Sequence, residues 1–429
     1  MNKSDFYLNT ESRGDWSFAQ LTRAETAELT HCYHNYPAKF IPQLAKELIE
    51  TYTVIDNVVW DPFCGSGTLN VEAYRSKRNS IGTDINPVSV LISRAKTRTL
   101  IPDKLRDYIE QLTQDIDSSK IYDQVYYETK GILNGNLETL KEWFSDDNLL
   151  ALSHILWRIR EKQSRREFKG FALCAFSSIL KGASYWLTSS VKSQKDPDKK
   201  PQKPFLAFVK QLELMEKANG LLFTESEGNR SKTVIVRHDA KHQLPSRVGR
   251  ADCIITSPPY LVSYDYSDIF RLSSYLLFPE KQYDKFRRKF IGTPLKRNRS
   301  SGNLIPSILG ATIQAITDSA IQRTVTEYYR DMNMFFRKAR RSLGNNKHMI
   351  MVVGDTKLRG VDIPNAYFLY EIAEVNKWHL ENSYRRKIPV KILPTLRDAV
   401  TGRFTNSSND NSDARYDEEY ILVFRSINL

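Results

Sequence analysis

Cysteine is scarce in this chain: four residues in 429, at Cys32, Cys64, Cys174 and Cys253, with no CxxC pair. Such spacing excludes a disulfide scaffold, argues against a zinc site and predicts reduced, buried thiols of a cytoplasmic protein, so no metal is expected. Long apolar runs are missing as well. The best of them, Phe171 to Leu187, is interrupted by Lys181 and Gly182, so no membrane span is expected. The polar, charged N-terminus does not read as a secretory signal, and no internal repeat is visible. Acidic residues are outnumbered, 50 against 63 basic, which leaves a net charge of +13. That deficit predicts salt-sensitive attraction to polyanions, although a basic surface without a partner gives the same count.

What is present reads as a globular chain, with 41% hydrophobic, 26% charged and 11% aromatic residues. Residues 42–53, PQLAKELIETYT, have helical periodicity, and NVVWDP then reads as a short buried strand ending in a turn. TLNVEAYRSK predicts a helix, NSIGTDIN a second strand, and PVSVLISRAKT a helix opened by Pro87. This alternation predicts an α/β, Rossmann-like fold with a mostly parallel sheet. Helices dominate residues 103–230, read as an insertion between two parts, 1–102 and 231–429, of one α/β domain. Within that insertion KSQKDPDKKPQKP reads as a mobile basic loop. Strands resume at KTVIVRHDA, ADCIITS and KHMIMVVGDT, with the amphipathic helix EYYRDMNMFFRKARRSL between the last two. KIPVKIL and EEYILVFRS predict an antiparallel hairpin at the sheet edge.

Four strand ends carry chemistry. Asp61-Pro62-Phe63-Cys64-Gly65-Ser66-Gly67-Thr68 follows a strand and opens a helix, where glycines admit a ligand and free N–H groups favour an anion. Asn70 stands where a dinucleotide fingerprint needs its third glycine, and no Lys-Ser/Thr follows as in a Walker loop. Asp84 closes the next strand. Alone it reads equally as a cap for the helix at Pro87; beside the glycine loop, an acceptor for two ribose hydroxyls is the better fit. Asp239 ends a third strand and reads either as an acceptor for an adenine amino group or as a cap. Finally, ADCIITS stops at Ser257-Pro258-Pro259-Tyr260. Proline cannot continue a sheet, so the doublet forms a stiff loop rich in acceptors, the groups an exocyclic amine needs.

DPFCGSGT, GTDINP and TSPPY resemble motifs I, II and IV of S-adenosylmethionine-dependent DNA amino-methyltransferases, and HCYHNYPAKFIPQLAKELI is similar to their motif X. Serine before the prolines resembles the N4-cytosine branch; the N6-adenine branch carries Asp or Asn there. The long helical insertion departs from the pattern.

The resemblance implies a site-specific N4-cytosine DNA methyltransferase of the restriction-modification type. It implies S-adenosylmethionine as cofactor, duplex DNA as partner, a cognate restriction endonuclease as companion and a bacterial cytoplasmic location. It implies that Asp61, Pro62, Phe63, Gly65, Gly67 and Thr68 border the cofactor's methionine part, with Lys39 and Phe40 of motif X. Asp84 would serve the ribose and Asp239 the adenine, with Asn86 a further cofactor contact. Ser257 and the Pro258 carbonyl would orient the target amine, with Pro259 stiffening the loop and Tyr260 stacking on a flipped base. Cys64 would be a packing residue. KQYDKFRRKFIGTPLKRNRS, residues 281–300, carries eight basic residues and one acid, so Arg287, Arg288, Lys289, Lys296, Arg297 and Arg299 are candidate DNA contacts. The insertion 103–230 is a candidate target reader. The alternatives are an N6-adenine or RNA amine methyltransferase and, from another class, a DNA-binding module without methyl transfer.

Overall fold

A computed structural model describes residues 1–22, 24–36, 41–261, 266–279, 285–293, 307–388, 396–398, 404–405, 412–414 and 417–428. The strands β1 (Glu11–Ser12), β2 (Val58–Asp61), β3 (Asn79–Asp84), β4 (Thr233–Arg237), β5 (Cys253–Thr256), β6 (His348–Val353), β7 (Trp378–Lys387) and β8 (Glu418–Ser426) form one sheet, in the order β1-β7-β8-β6-β5-β2-β3-β4. β6, β5, β2, β3 and β4 are parallel, whereas β8 runs antiparallel to both β6 and β7. This is the expected α/β architecture with an antiparallel margin.

The parallel strands are short and apolar because both faces are covered. Successive residues point to opposite faces. Val59, Ile255, Ile350 and Val352 pack against Leu44, Ala45, Leu48 and Ile49 of α1 (Pro42–Tyr52). Trp60, Ile254, Met349 and Met351 pack on the other side, with Val325, Met332, Phe335, Phe336 and Ala339 of α8 (Ser319–Leu343). Between them in sequence lie α2 (Thr68–Arg75), α3 (Pro87–Lys96), α4 (Pro102–Ser118), α5 (Asp146–Glu161), α6 (Arg166–Ala183) and α7 (Pro204–Glu225). The last four pack around a separate apolar core that also takes in Val88 and Ile92 from α3. Phe270, Leu272 and Leu276, which follow the TSPPY loop, belong to this helical core rather than to the sheet.

The C-terminal hairpin differs from its expectation in one arm. Its first strand is Trp378–Lys387, upstream of KIPVKIL, of which residues 389–393 lie outside the described residues. The second strand is not at the margin either: β8 is inserted between β6 and β7, and β1 closes the edge.

Candidate active site

The chain runs outward from β2 through β3 and β4, then crosses back to β5 and β6 on the other side of β2. In an open α/β sheet such a reversal leaves a crevice at the carboxyl ends of the two strands beside it. Here a cleft of about 840 Å³, mouth included, opens at that place; Asp61, Phe63, Gly65, Thr68, Asp84, Asp239, Ser257 and Pro259 all line it.

Asp61 ends β2 and is buried. Its Oδ1 accepts from Thr256 Oγ1 at 2.6 Å and from the Phe63 amide at 3.1 Å. One carboxylate thereby ties the glycine loop to the strand that carries Ser257. Burial pushes the Asp61 carboxyl up to about 7. Asp84, at the end of β3, accepts from the Gly65 amide at 3.0 Å and the Asn86 amide at 2.7 Å, and burial raises it to about 6. The helix at Pro87 is capped instead by Asn86, whose Oδ1 accepts from the Val88 amide at 2.9 Å. Asp84 is therefore not needed as a cap.

Gly65 and Gly67 have φ of +49° and +75°, a region side chains rarely adopt. At Gly65 an added Cβ would come within 3.1 Å of the Tyr36 ring. The missing third glycine is also explained. Asn70 is buried in α2, and the close approach of helix to strand is provided by Gly82 of β3, where a Cβ would lie 2.6 Å from Asn70 Oδ1. Thr68 Oγ1 lines the cleft, buried and without a hydrogen-bond partner. Two carboxylates, an orphaned hydroxyl and a left-handed glycine turn suit a nucleoside with a charged tail.

β5 ends at Thr256, and the two prolines then leave the sheet. Ser257 and Pro259 face the cleft while Pro258 is buried. Tyr260 is half-buried and donates its hydroxyl to Glu419 Oε1 at 2.6 Å. Glu419 is in turn paired with the buried Arg386, at 2.6 Å. The C-terminal hairpin thus anchors the loop.

Residues 7–94, which contain the motif X segment, the glycine loop and Asp84, match a family model described as DNA methylase. The type II methyltransferase M.MvaI of Kocuria varians is 27% identical over 89% of this chain and 89% of its own. M.BsoBI of Geobacillus stearothermophilus, another type II methyltransferase, is 25% identical over 77% of this chain and 69% of its own. The chain is thus similar to DNA methyltransferases, which supports the coarse expectation of a DNA amino-methyltransferase.

Against the methyltransferase resemblance, the other expected residues divide. Pro62 lines the cleft, and its carbonyl accepts from Thr83 Oγ1 at 3.3 Å. Asp239 is at the rim beyond β4, with Lys241 Nζ 2.9 Å from its Oδ1. Lys39 and Phe40 lie outside the described residues, as do Lys296, Arg297 and Arg299. Arg287 is half-buried and Arg288 exposed. Lys289 lines the cleft itself, and its carbonyl accepts from Lys241 Nζ, so it stands at the site rather than on a distant basic face. Cys64 is buried, 3.7 Å from Ser93 Oγ; burial pushes its thiol well up, as befits a packing residue.

Sequence reasoning missed two contributors. Tyr36 covers Gly65 and bonds Ser89 Oγ at 3.2 Å, and its ring lies 5.1 Å from Phe270. Ser93 donates to the Gly65 carbonyl at 2.7 Å from α3. Tyr36 sits within the motif X stretch and could have been singled out there. Ser93 carries no local signal.

Proposed function

We propose that this chain methylates the N4 amine of cytosine at a specific site in duplex DNA, using S-adenosylmethionine. The observation that carries the reading is the joining of two half-sites at the sheet's reversal point: a nucleoside cradle on β2 and β3, and an acceptor loop, Ser257 to Pro259, on β5. Serine before the prolines favours cytosine N4 over adenine N6. The net charge of +13 suits a polyanionic substrate. A cognate restriction endonuclease and a bacterial cytoplasmic setting accompany this reading.

Asp84 would receive the ribose hydroxyls, Asp61 would face the cationic methionine end, and Thr68 Oγ1 would meet the ligand's polar groups. When bound, the cofactor supplies an electrophilic methyl group. The chain's work is positioning. Ser257 Oγ and the Pro258 carbonyl would accept hydrogen bonds from the N4 amine, drawing its lone pair out of conjugation and aiming it along the line of displacement. The N–C bond would form as the sulfonium S–C bond breaks to leave a neutral thioether, and the surplus N4 proton would pass to solvent. Asp61 and Thr256 hold that loop against the cradle. A cytosine buried in a duplex must be extruded to reach it.

The test is nucleoside mass spectrometry of duplex DNA incubated with the protein and labelled cofactor, with N4-methylcytosine expected. N6-methyladenine alone overturns the base assignment, labelled RNA without labelled DNA overturns the substrate class, and salt-dependent binding without transfer makes the chain a binding module.

A pH prediction follows from the carboxyls. Burial leaves Asp61 and Asp84 with raised values, about 7 and about 6. Each favours the proton-bound folded state, so its contribution to stability is complete below the ordinary carboxylate range and lost as pH rises through 6 to 7. The cofactor needs the ionised forms. Its binding is therefore expected to raise Tm more at pH 7.5 than at pH 5.5, measured by thermal unfolding with and without S-adenosylmethionine.

A further inference from the structure

Residues 192–204 read from sequence as a mobile basic loop, yet the stretch from Trp186 to Lys199, which contains the first part of it, is pinned at both ends. Trp186 is buried in the helical core, its ring 5.4 Å from Trp143, and forms a bridge with Lys195. The backbone closes on itself through Leu187 N–H to the Gln194 carbonyl, 2.8 Å, and Asp196 N–H to the Tyr185 carbonyl, 2.7 Å. Two lysines are spent on the frame. Lys181 Nζ donates to the carbonyls of Thr188 and Ser190, at 3.0 and 2.8 Å, and Lys199 Nζ to those of Lys181 and Trp186, at 2.8 and 2.7 Å. The result is a stiff hairpin that leaves Thr188, Ser189, Lys192, Gln194 and Lys195 exposed.

The hairpin is also joined to the catalytic cleft. Ser193 donates to Asp268 Oδ2 through its hydroxyl at 2.5 Å and its amide at 3.0 Å. Asp268 lies eight positions beyond Tyr260, and Arg271 reaches both Asp268 and Ser193. Between those two residues Phe270 packs on Tyr36, which covers Gly65. A continuous run of contacts therefore connects the hairpin tip with the rim of the cleft.

We infer that the hairpin Thr188–Lys195 is the sequence-reading element of this protein and enters a groove of duplex DNA next to the target base. The inference rests on the proposed function. Gln194 and Lys192 carry the groups that pair with adenine and guanine edges in the major groove, and the serine and threonine hydroxyls serve either base. Lys195, 3.3 Å from Glu142, and the exposed Lys200 and Lys203 flank the tip as phosphate contacts. Rigidity matters here, because a reader that must order on binding loses affinity to entropy.

The experiment compares the full-length protein with the variant Lys192→Ala/Gln194→Ala, mapping methylated positions across a genome and titrating cofactor and duplex DNA. In the variant, cofactor affinity is unchanged and the preference for the cognate site over near-cognate sites falls by roughly tenfold or more. An unchanged methylation motif overturns the inference. So does a uniform loss at every sequence, which marks phosphate contact only. A parent protein that methylates no DNA overturns the function reading first, and is distinguishable because no motif exists to relax.

Discussion

Ser257→Ala is expected to lower methyl transfer by about 100-fold while S-adenosylmethionine and duplex DNA bind as before. In the proposed mechanism the hydroxyl is one of two acceptors for the target amine, and its partner, the Pro258 carbonyl, survives the change. Among the described residues the loop is anchored through its neighbours rather than through Ser257, by Thr256 to Asp61 at 2.6 Å and Tyr260 to Glu419 at 2.6 Å. Loss of an interaction made mainly in the transition state lowers kcat and kcat/KM together without raising KM. Single-turnover transfer of a labelled methyl group, with cofactor affinity from calorimetry, checks the separation. A rise in cofactor Kd equal to the fall in rate would show that Ser257 belongs to the cradle instead.

Asp84→Ala is expected to weaken S-adenosylmethionine by on the order of 100-fold or more, since two hydrogen bonds to a charged acceptor are lost, each worth about 1.5–3 kcal/mol. The carboxylate also accepts the Gly65 and Asn86 amides, so its removal frees the loop that carries the left-handed glycines. Asp84→Asn keeps an acceptor and is expected to lose less. Calorimetric titration of the folded variants measures both, and equal, small effects would place the ribose elsewhere.

Local chemistry made much of this site readable. Asp61, Gly65, Asp84 and Ser257 are all strand-end residues, and strand ends are marked by short apolar runs that stop at Pro, Gly or Asp. Two misread features had weak local signals. The first arm of the C-terminal hairpin, WHLENSYRRK, alternates exposed and buried residues and lacks an apolar run, so KIPVKIL drew attention away from it. Asp84 by itself read equally as a cap for α3, and only the structure shows that Asn86, expected at the cofactor, takes that role. Lys289 looked like one charge in a run of eight, because a basic run does not show which of its members turns towards a cleft.

The order of strands and helices along the chain was enough to set the fold class, because period-2 and period-3.6 burial are properties of short segments. The motifs likewise needed only neighbouring residues. What tertiary structure decided was who meets whom: Thr256 with Asp61, Tyr36 over Gly65, Glu419 under Tyr260, and Ser193 with Asp268. These pairs are far apart in sequence, and each is brought together by sheet order and by packing against the helical core. The reversal of strand order that opens the cleft is a property of the whole sheet, and no stretch of residues carries it.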